Sequence, residues 1–163
     1  ARGEGLPGGV WEKRMPMIID DLGRTNTFLR SRSAEEAGMT TGLGIPCLRS
    51  VDDLYAVTFL SARSTPIARR FEIWVPGGGG LSFDAGHCDQ DPNLELGYCS
   101  STIAKGEGTI GRVWLTGVPA VCDDLSTDKS VAGHSARLAG LGSMLALPVI
   151  EDAALKAVVA MYL

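Results

Sequence analysis

One stretch of this chain occurs twice, and any fold has to accommodate both copies. Gly3–Leu22 reads GEGLPGGVWEKRMPMIIDDL and Gly106–Leu125 reads GEGTIGRVWLTGVPAVCDDL. Gly3, Glu4, Gly5, Gly8, Val10, Trp11, Pro16, Asp20, Asp21 and Leu22 recur, 103 positions later, as Gly106, Glu107, Gly108, Gly111, Val113, Trp114, Pro119, Asp123, Asp124 and Leu125. A constant spacing over a whole segment marks a repeated supersecondary unit. The likeness continues with a slip of one residue, Ala37-Gly38 and Ile45-Pro46 against Ala139-Gly140 and Leu147-Pro148. A further slip aligns Tyr55-Ala56-Val57-Thr58 with Lys156-Ala157-Val158-Val159.

Both copies read as a glycine-rich loop, one helical turn carrying Val and Trp, a short strand closing in Asp-Asp-Leu, a helix and two apolar strands. In the first copy Gly3–Trp11 is the loop and Met17–Leu22 the short strand. Ser33 caps a helix over Ala34–Ala37, which Gly38 ends. Thr41–Arg49 and Leu54–Ser61 form a hairpin across Ser50-Val51-Asp52-Asp53. Phe71–Val75 alternates Phe71, Ile73 and Val75 against Glu72 and Trp74, the period of a strand. Four glycines turn it back into Leu81–Ala85, and a loop over Gly86–Pro92 leads to a partly helical Asn93–Ala104. In the second copy Ala120–Cys122 is the short strand and Ser130 caps a helix over Val131–Leu138. Ser143–Ile150 and Lys156–Leu163 form the last hairpin. The expected organisation is a half unit over residues 1–62, a connector over 63–70 and a complete five-stranded unit over 71–163. Half a sheet cannot bury its apolar face alone. Leu43, Ile45, Val57 and Phe59 therefore need cover from upstream strands, from the complete unit or from a second chain.

Composition narrows the function classes. The net charge of -4 and the lack of a basic run argue against nucleic acid as a partner. No apolar stretch approaches the length of a membrane span, and no secretory leader is visible. The chain opens on Ala1 inside a motif, which reads as a fragment of a longer protein. Cys47, Cys88, Cys99 and Cys122 show no C-x-x-C pairing, so reduced thiols in the cytoplasm are the expectation.

The order G-x-G-x-x-G-x-V-W, Asp-Leu, Ala-Gly and Pro-Val resembles the second half of a GAF domain. Gly106 to Trp114, Pro119, Asp124-Leu125, Ala139-Gly140 and Pro148-Val149 carry the resemblance. Gly3 to Trp11, Pro16, Asp21-Leu22, Ala37-Gly38 and Pro46 carry it again. The resemblance implies an α+β fold, an antiparallel sheet with helices packed on its faces. It implies a sensory or regulatory module that binds an unidentified small molecule or dimerises, with signalling domains attached. It places the ligand near Trp114, Cys122, Asp124, His134, Arg137 and Met144. The cofactor is left open.

The remaining motifs are weighed on their chemistry. G-x-G-x-x-G suggests a phosphate cradle, but a dinucleotide loop follows a strand and opens a full helix, whereas the helix expected after Gly111 is about one turn, and no P-loop Lys-Ser or Lys-Thr follows. Tight backbone turns explain the glycines better. Asp20-Asp21 and Asp123-Asp124 read as strand ends, since neighbours on a strand point to opposite faces. His87, Cys88, Cys99 and Cys122 lack the spacing of a metal site. His134 as a haem ligand is a minor alternative. The rival class is a thiol oxidoreductase resembling free methionine-R-sulfoxide reductase, with Cys88 or Cys99 as nucleophile. Ile110 stands where that branch carries a cysteine in the glycine loop. A third reading is a degenerate repeat used only for protein contacts. Trp11, Trp74, Trp114, Phe83 and Met144 read as core before pocket wall.

Overall fold

The computed structural model describes residues 3–25, 30–48, 53–98 and 100–163. They divide into two compact units, Ala1–Ile67 and Ala68–Leu163.

In the first unit the expected glycine loop is a helix, α1 (Gly5–Lys13). The cause is the four-residue spacing of Leu6 and Val10, both fully buried. That stripe lies on glycines of the adjacent sheet. A Cβ on Gly42 would sit 2.9 Å from Leu6, and one on Gly44 would sit 2.5 Å from Val10. Arg14, in the left-handed region at φ 54°, ends the helix and donates its N–H to Val10 O. β1 (Met17–Ile19) follows, then α2 (Ser31–Glu36). α2 starts before the expected cap: Arg30 is its N-cap, no side chain caps it, and Ser33 lies inside it. β2 (Met39–Leu48) and β3 (Leu54–Ala62) complete an antiparallel sheet of order β1-β2-β3. The expected turn at Ser50-Val51-Asp52 lies outside the described residues.

The second unit opens with β4 (Arg70–Gly77), so Arg70 belongs to a strand and not to a connector. Gly78 and Gly79, at φ 50° and 96°, turn the chain into β5 (Gly80–Cys88). β5 runs through the Gly86–Cys88 segment read from sequence as loop, because β4 pairs it there: Arg70 with Cys88 and Phe71 with His87. A 3₁₀ turn (Leu96–Tyr98) and β6 (Thr102–Ile103) replace the partly helical segment, so the sheet has six strands where five were expected. Then come α3 (Gly108–Thr116), longer than the single turn expected, and β7 (Ala120–Cys122). A second 3₁₀ turn (Leu125–Thr127) leads to α4 (Val131–Leu138), with β8 (Met144–Glu151) and β9 (Ala154–Tyr162) closing the unit. Ser130 caps α4 as expected, accepting from Gly133 N at 3.2 Å.

Pairing is antiparallel throughout, in the order β6-β5-β4-β9-β8-β7. The fold is α+β, an antiparallel sheet with helices. One face of the sheet supplies Trp74, Leu81, Ile103, Val158, Ala160 and Tyr162 to the core, and Ile110, Val113, Ala132 and Ala136 of α3 and α4 close over them. Burying each large apolar side chain contributes about 1.5–3 kcal/mol. No helix among the described residues is long and apolar enough to cross a membrane.

Candidate functional site: a buried ionic cluster beside a hydroxyl-lined cleft

The alternation in β4 sets Glu72 opposite a row of apolar side chains, as on a half-solvated strand. The structure buries both faces. Arg70 and Glu72 each expose 0% of their surface and point into the core with Trp74. An isolated buried carboxylate costs several kcal/mol, so it must be paired or hydrogen-bonded. Glu72 Oε2 accepts from Tyr162 Oη at 2.6 Å and from Trp74 Nε1 at 2.8 Å. Its Oε1 accepts from Tyr98 Oη at 2.7 Å and from Arg70 Nη1 at 3.4 Å. Burial pushes the Glu72 carboxyl above its ordinary value, and those four donors pull against it. Burial and then the Glu72 charge push both tyrosine phenols up as well, so Tyr98 and Tyr162 stay protonated and donate.

Arg70 is satisfied on one side only. Its Nη1 donates to Ser135 Oγ of α4 at 3.0 Å and lies 3.4 Å from Tyr98 Oη. Its guanidinium sits 5.7 Å from the Tyr162 ring centroid. Nη2 lies 3.6 Å from an Asp91 oxygen, a charge contact too long for a good hydrogen bond. Nε and Nη2 are buried without a hydrogen-bond acceptor among the described residues.

Tyr98, itself buried, is also one of the residues that line a cleft of about 260 Å³, with Ser82, Phe83, Glu95, Ser100, Ser101 and Thr102. Trp74, Phe83 and Tyr98 form one aromatic stack behind it: Tyr98 lies 4.9 Å from both other rings, and Trp74 meets Phe83 edge-on at 5.7 Å. Gly86 makes room for this packing, since a Cβ there would sit 2.8 Å from Phe83 and 2.9 Å from Phe71 O. The described lining offers four aliphatic hydroxyls, a phenol and one carboxylate, and no cationic side chain.

None of the six residues placed near a ligand from sequence lines this cleft. Cys122 and Met144 are paired across β7 and β8 and buried. The Cys122 thiol lies 3.3 Å from Asp124 O. Asp124 is exposed and caps the second 3₁₀ turn by accepting from Ser126 N at 2.8 Å. The Ser126 hydroxyl, and then that backbone bond, hold its carboxyl below the usual range. Trp114 is half-buried, with Lys105 Nζ 5.7 Å from its ring centroid. Arg137 donates to two carbonyls, Leu125 O at 2.6 Å and Asp128 O at 2.7 Å, and His134 is exposed. Trp11 is 43% exposed on α1.

The glycine motif has a partner the sequence did not reveal. Asp128, 3% exposed, accepts from Thr109 N at the start of α3 at 2.7 Å. It also accepts from Ser130 N at 3.0 Å and Ser130 Oγ at 2.6 Å, at the start of α4. A Cβ on Gly108 would sit 2.5 Å from Asp128 Oδ1, and one on Gly133 would sit 2.7 Å from it. The close approach that glycine permits serves a carboxylate of the chain itself. Burial works against the Asp128 charge, but these bonds outweigh it and hold the carboxyl below its usual range.

Cys88 is buried, with its thiol 3.6 Å from Gln90 Oε1, and His87 lies 3.3 Å from Asp89 within β5 and the turn after it. Cys99 lies outside the described residues. No group of three or more His, Cys, Asp or Glu side chains among the described residues could hold a metal ion.

With this geometry in hand, the comparisons define the class. The family model for the GAF domain matches residues 73–163. The chain belongs to the GAF domain family. Among solved structures it is similar to the GAF domain of A. aeolicus nlh2 in an inactive state, at 20% identity and TM-score 0.46 over 59% of this chain and 57% of that one. It is similar to mutated NreA of Staphylococcus aureus, at 14% identity and TM-score 0.47 over 59% and 72%. It is also similar to the free methionine-R-sulfoxide reductase of Neisseria meningitidis, at 16% identity and TM-score 0.44 over 58% and 52%. The matched part spans just over half the length of the first and third of these chains. No curated protein matches the chain.

Proposed function

We propose that this chain is a sensory or regulatory GAF module that binds a small polar ligand at the Tyr98 cleft. The observation that carries the reading is the double role of Tyr98. It is one of the residues that line the cleft, while its hydroxyl donates to the buried Glu72. A ligand that shifts Tyr98 therefore disturbs the Glu72–Arg70 pair and, through Arg70, Ser135 on α4. The lining of hydroxyls, two aromatic rings and Glu95 suits an uncharged polyol or an ammonium group better than an anion. On the same reading residues 1–62 are the C-terminal half of a further unit of this kind, joined by a connector. The protein acts in the cytoplasm as a homodimer and passes binding to attached domains. The reading moves the ligand away from the Trp114–Met144 group, because Arg137 is engaged by two carbonyls and Cys122 and Met144 are buried.

Titrating the protein with a panel of small amines, polyols and anions, followed by Trp fluorescence and melting temperature, tests this. An amine or polyol at a hundredfold its Kd should stabilise the fold by about 2.7 kcal/mol. Phe83→Ala should abolish the response while the circular dichroism spectrum is kept. A response from anions alone, or one that Phe83→Ala leaves intact, overturns the site. Thiol-dependent turnover of methionine sulfoxide would replace the reading with the reductase one.

A further inference from the structure

A buried guanidinium with N–H groups that lack acceptors is costly, because those groups lose their water on folding. Among the described residues Arg70 leaves Nε and Nη2 in this state. The two share one edge of the guanidinium, the edge that grips an oxyanion as a fork. Strand register decides what stands beside it. Arg70 on β4 is paired with Cys88 on β5, and the two expose only 0% and 5% of their surface. Directly opposed residues of an antiparallel pair bring their Cβ atoms to about 4.5–5.5 Å. Burial works against the Arg70 charge, while the Cys88 sulfur, and then Glu72, pull the guanidinium above its ordinary value. A thiol is nevertheless a weak acceptor, and neither Nε nor Nη2 makes an aligned bond to it.

The other described thiols have different surroundings. Cys122 lies 3.3 Å from Asp124 O, so an oxygen added to its sulfur would meet a carbonyl. Cys47 is exposed. Cys88 opens a turn that Asp91 closes by donating its N–H to Cys88 O at 3.2 Å. Its thiol lies 3.6 Å from the side-chain oxygen of Gln90, an exposed residue. The sulfur is therefore one surface side chain away from water, close enough for a small neutral oxidant to reach.

We propose that Cys88 is an oxidation site for hydroperoxides, and that the Nε–Nη2 edge of Arg70 holds its sulfenic acid. The sulfur attacks one peroxide oxygen. An S–O bond forms, the O–O bond breaks, and the thiol proton leaves on the other oxygen as water or an alcohol. Sulfur gives up two electrons and the peroxide takes them. The new oxygen supplies the acceptor that the two donors lack. It also engages the guanidinium that bonds Glu72 and Ser135, so the oxidation reaches β4 and α4 without passing through the Tyr98 cleft. Two molecules of a reducing thiol reverse the step: they join as a disulfide, the oxygen leaves as water, and Cys88 is restored. The modification is stoichiometric and turns over no substrate.

Hydrogen peroxide is the probe, applied to the full chain and quenched in denaturant with dimedone, which tags sulfenic acids. Peptide mass spectrometry then reads each cysteine. Cys88 should be tagged roughly tenfold faster than Cys47 or Cys122, and dithiothreitol added before the quench should remove the signal. Arg70→Lys keeps the charge and loses the fork, so it should slow tagging of Cys88 about fivefold and leave Cys47 unchanged. If that variant does not fold, Asp91→Asn decides. It removes the carboxylate 3.6 Å from Nη2 and should speed tagging of Cys88 about threefold. Tagging of Cys88 no faster than that of Cys47 and Cys122 overturns the proposal, as does a rate that the folded variant leaves unchanged. A disulfide at Cys88 in place of the tag also overturns it, because the thiol would then act with a second cysteine and not with Arg70. None of these results depends on ligand binding at the Tyr98 cleft.

Discussion

The two units share a local grammar and differ in what completes it. Each begins with a backbone bond across the glycine motif, Gly3 N to Gly8 O at 3.0 Å and Gly106 N to Gly111 O at 2.8 Å. Each helix then ends on a left-handed residue that bonds back four positions, Arg14 to Val10 and Gly117 to Val113. Each second helix stops at a glycine, Gly38 or Gly140, at φ 67° and 72°. Beyond this the second unit adds two long strands, and with them a buried charge pair, an aromatic stack and a cleft. Tyr162, which donates to Glu72, has Leu60 as its counterpart by strand register. Local chain geometry is common to both units, while the candidate site depends on contacts that only the complete sheet can make. Changes to the completing parts should therefore cost the most.

Glu72→Ala is the largest expected effect. It strands Arg70 in the core and removes the acceptor of two phenols and an indole, a change worth about 3–5 kcal/mol. Urea unfolding read by Trp fluorescence should show that loss, and hydrogen exchange should quicken in β4, β5 and β9. A loss below about 1 kcal/mol would mean that the cluster contributes little and that the two units differ less than their polar cores suggest.

Much of the common grammar was legible in the sequence. The repeat gave the order of elements, and Ser130 with Val131–Leu138 gave α4 to the residue. The hairpin of β8 and β9 was legible too, although Asp152 and Ala153 turn it with positive φ that neither residue type advertises. The second slip in the repeat sets Tyr55–Thr58 one residue off the strand register, because Pro46 opposite Ala56 and Pro148 opposite Val158 keep one offset through the hairpin. The cluster was not legible, because Glu72 meets partners 26 and 90 residues away. A glutamate in an alternating strand reads as solvated unless those partners are known. Arg70, beside Arg69, reads as surface for the same reason. The role of the glycines was half legible. Gly3, Gly5, Gly106 and Gly108 do take the positive φ that glycine allows, but Asp128, the group that Gly108 approaches, carries no signal of its own.

Gly108→Ala probes that approach. The new methyl would sit in the left-handed region, which costs roughly 1–2 kcal/mol, and 2.5 Å from Asp128 Oδ1, which is itself held by two bonds from Ser130. A total loss of about 2–3 kcal/mol in urea unfolding is expected. A loss no greater than the backbone term alone would show that Asp128 can move, and that the glycine loop is open to another anion.

Asp128→Asn separates the units by pH. The folded state holds the Asp128 carboxyl below its unfolded value of about 3.9, so its contribution is present above that value and is lost as pH falls through the folded one. At pH 7 the substitution should cost about 1–2 kcal/mol, since a charged acceptor at two helix starts becomes a neutral one. Near pH 2.5 the difference between the two proteins should shrink. The first unit carries Thr25 at the position 103 residues before Asp128, so its helices should show no matching pH term in hydrogen exchange. A difference that is constant from pH 7 to 2.5 would remove the charge from the explanation.

The smallest expected effect concerns the residue that ends the first helix of each unit. Arg14 and Gly117 do the same work at φ 54° and 67°. The left-handed region costs a residue with a Cβ roughly 1 kcal/mol relative to glycine. Arg14 shows that the fold tolerates that cost. At Gly117 a Cβ would meet only Ile150 Cδ1, at 3.3 Å, the free end of a side chain that can yield by a few tenths of an ångström. Gly117→Ala should therefore cost about 1 kcal/mol and leave the α3 amides as protected as before, apart from the last turn. A cost of 3 kcal/mol or more would show that the turn into β7 is more tightly constrained than the turn into β1. In that case the second unit would be set apart by its backbone as well as by its buried cluster.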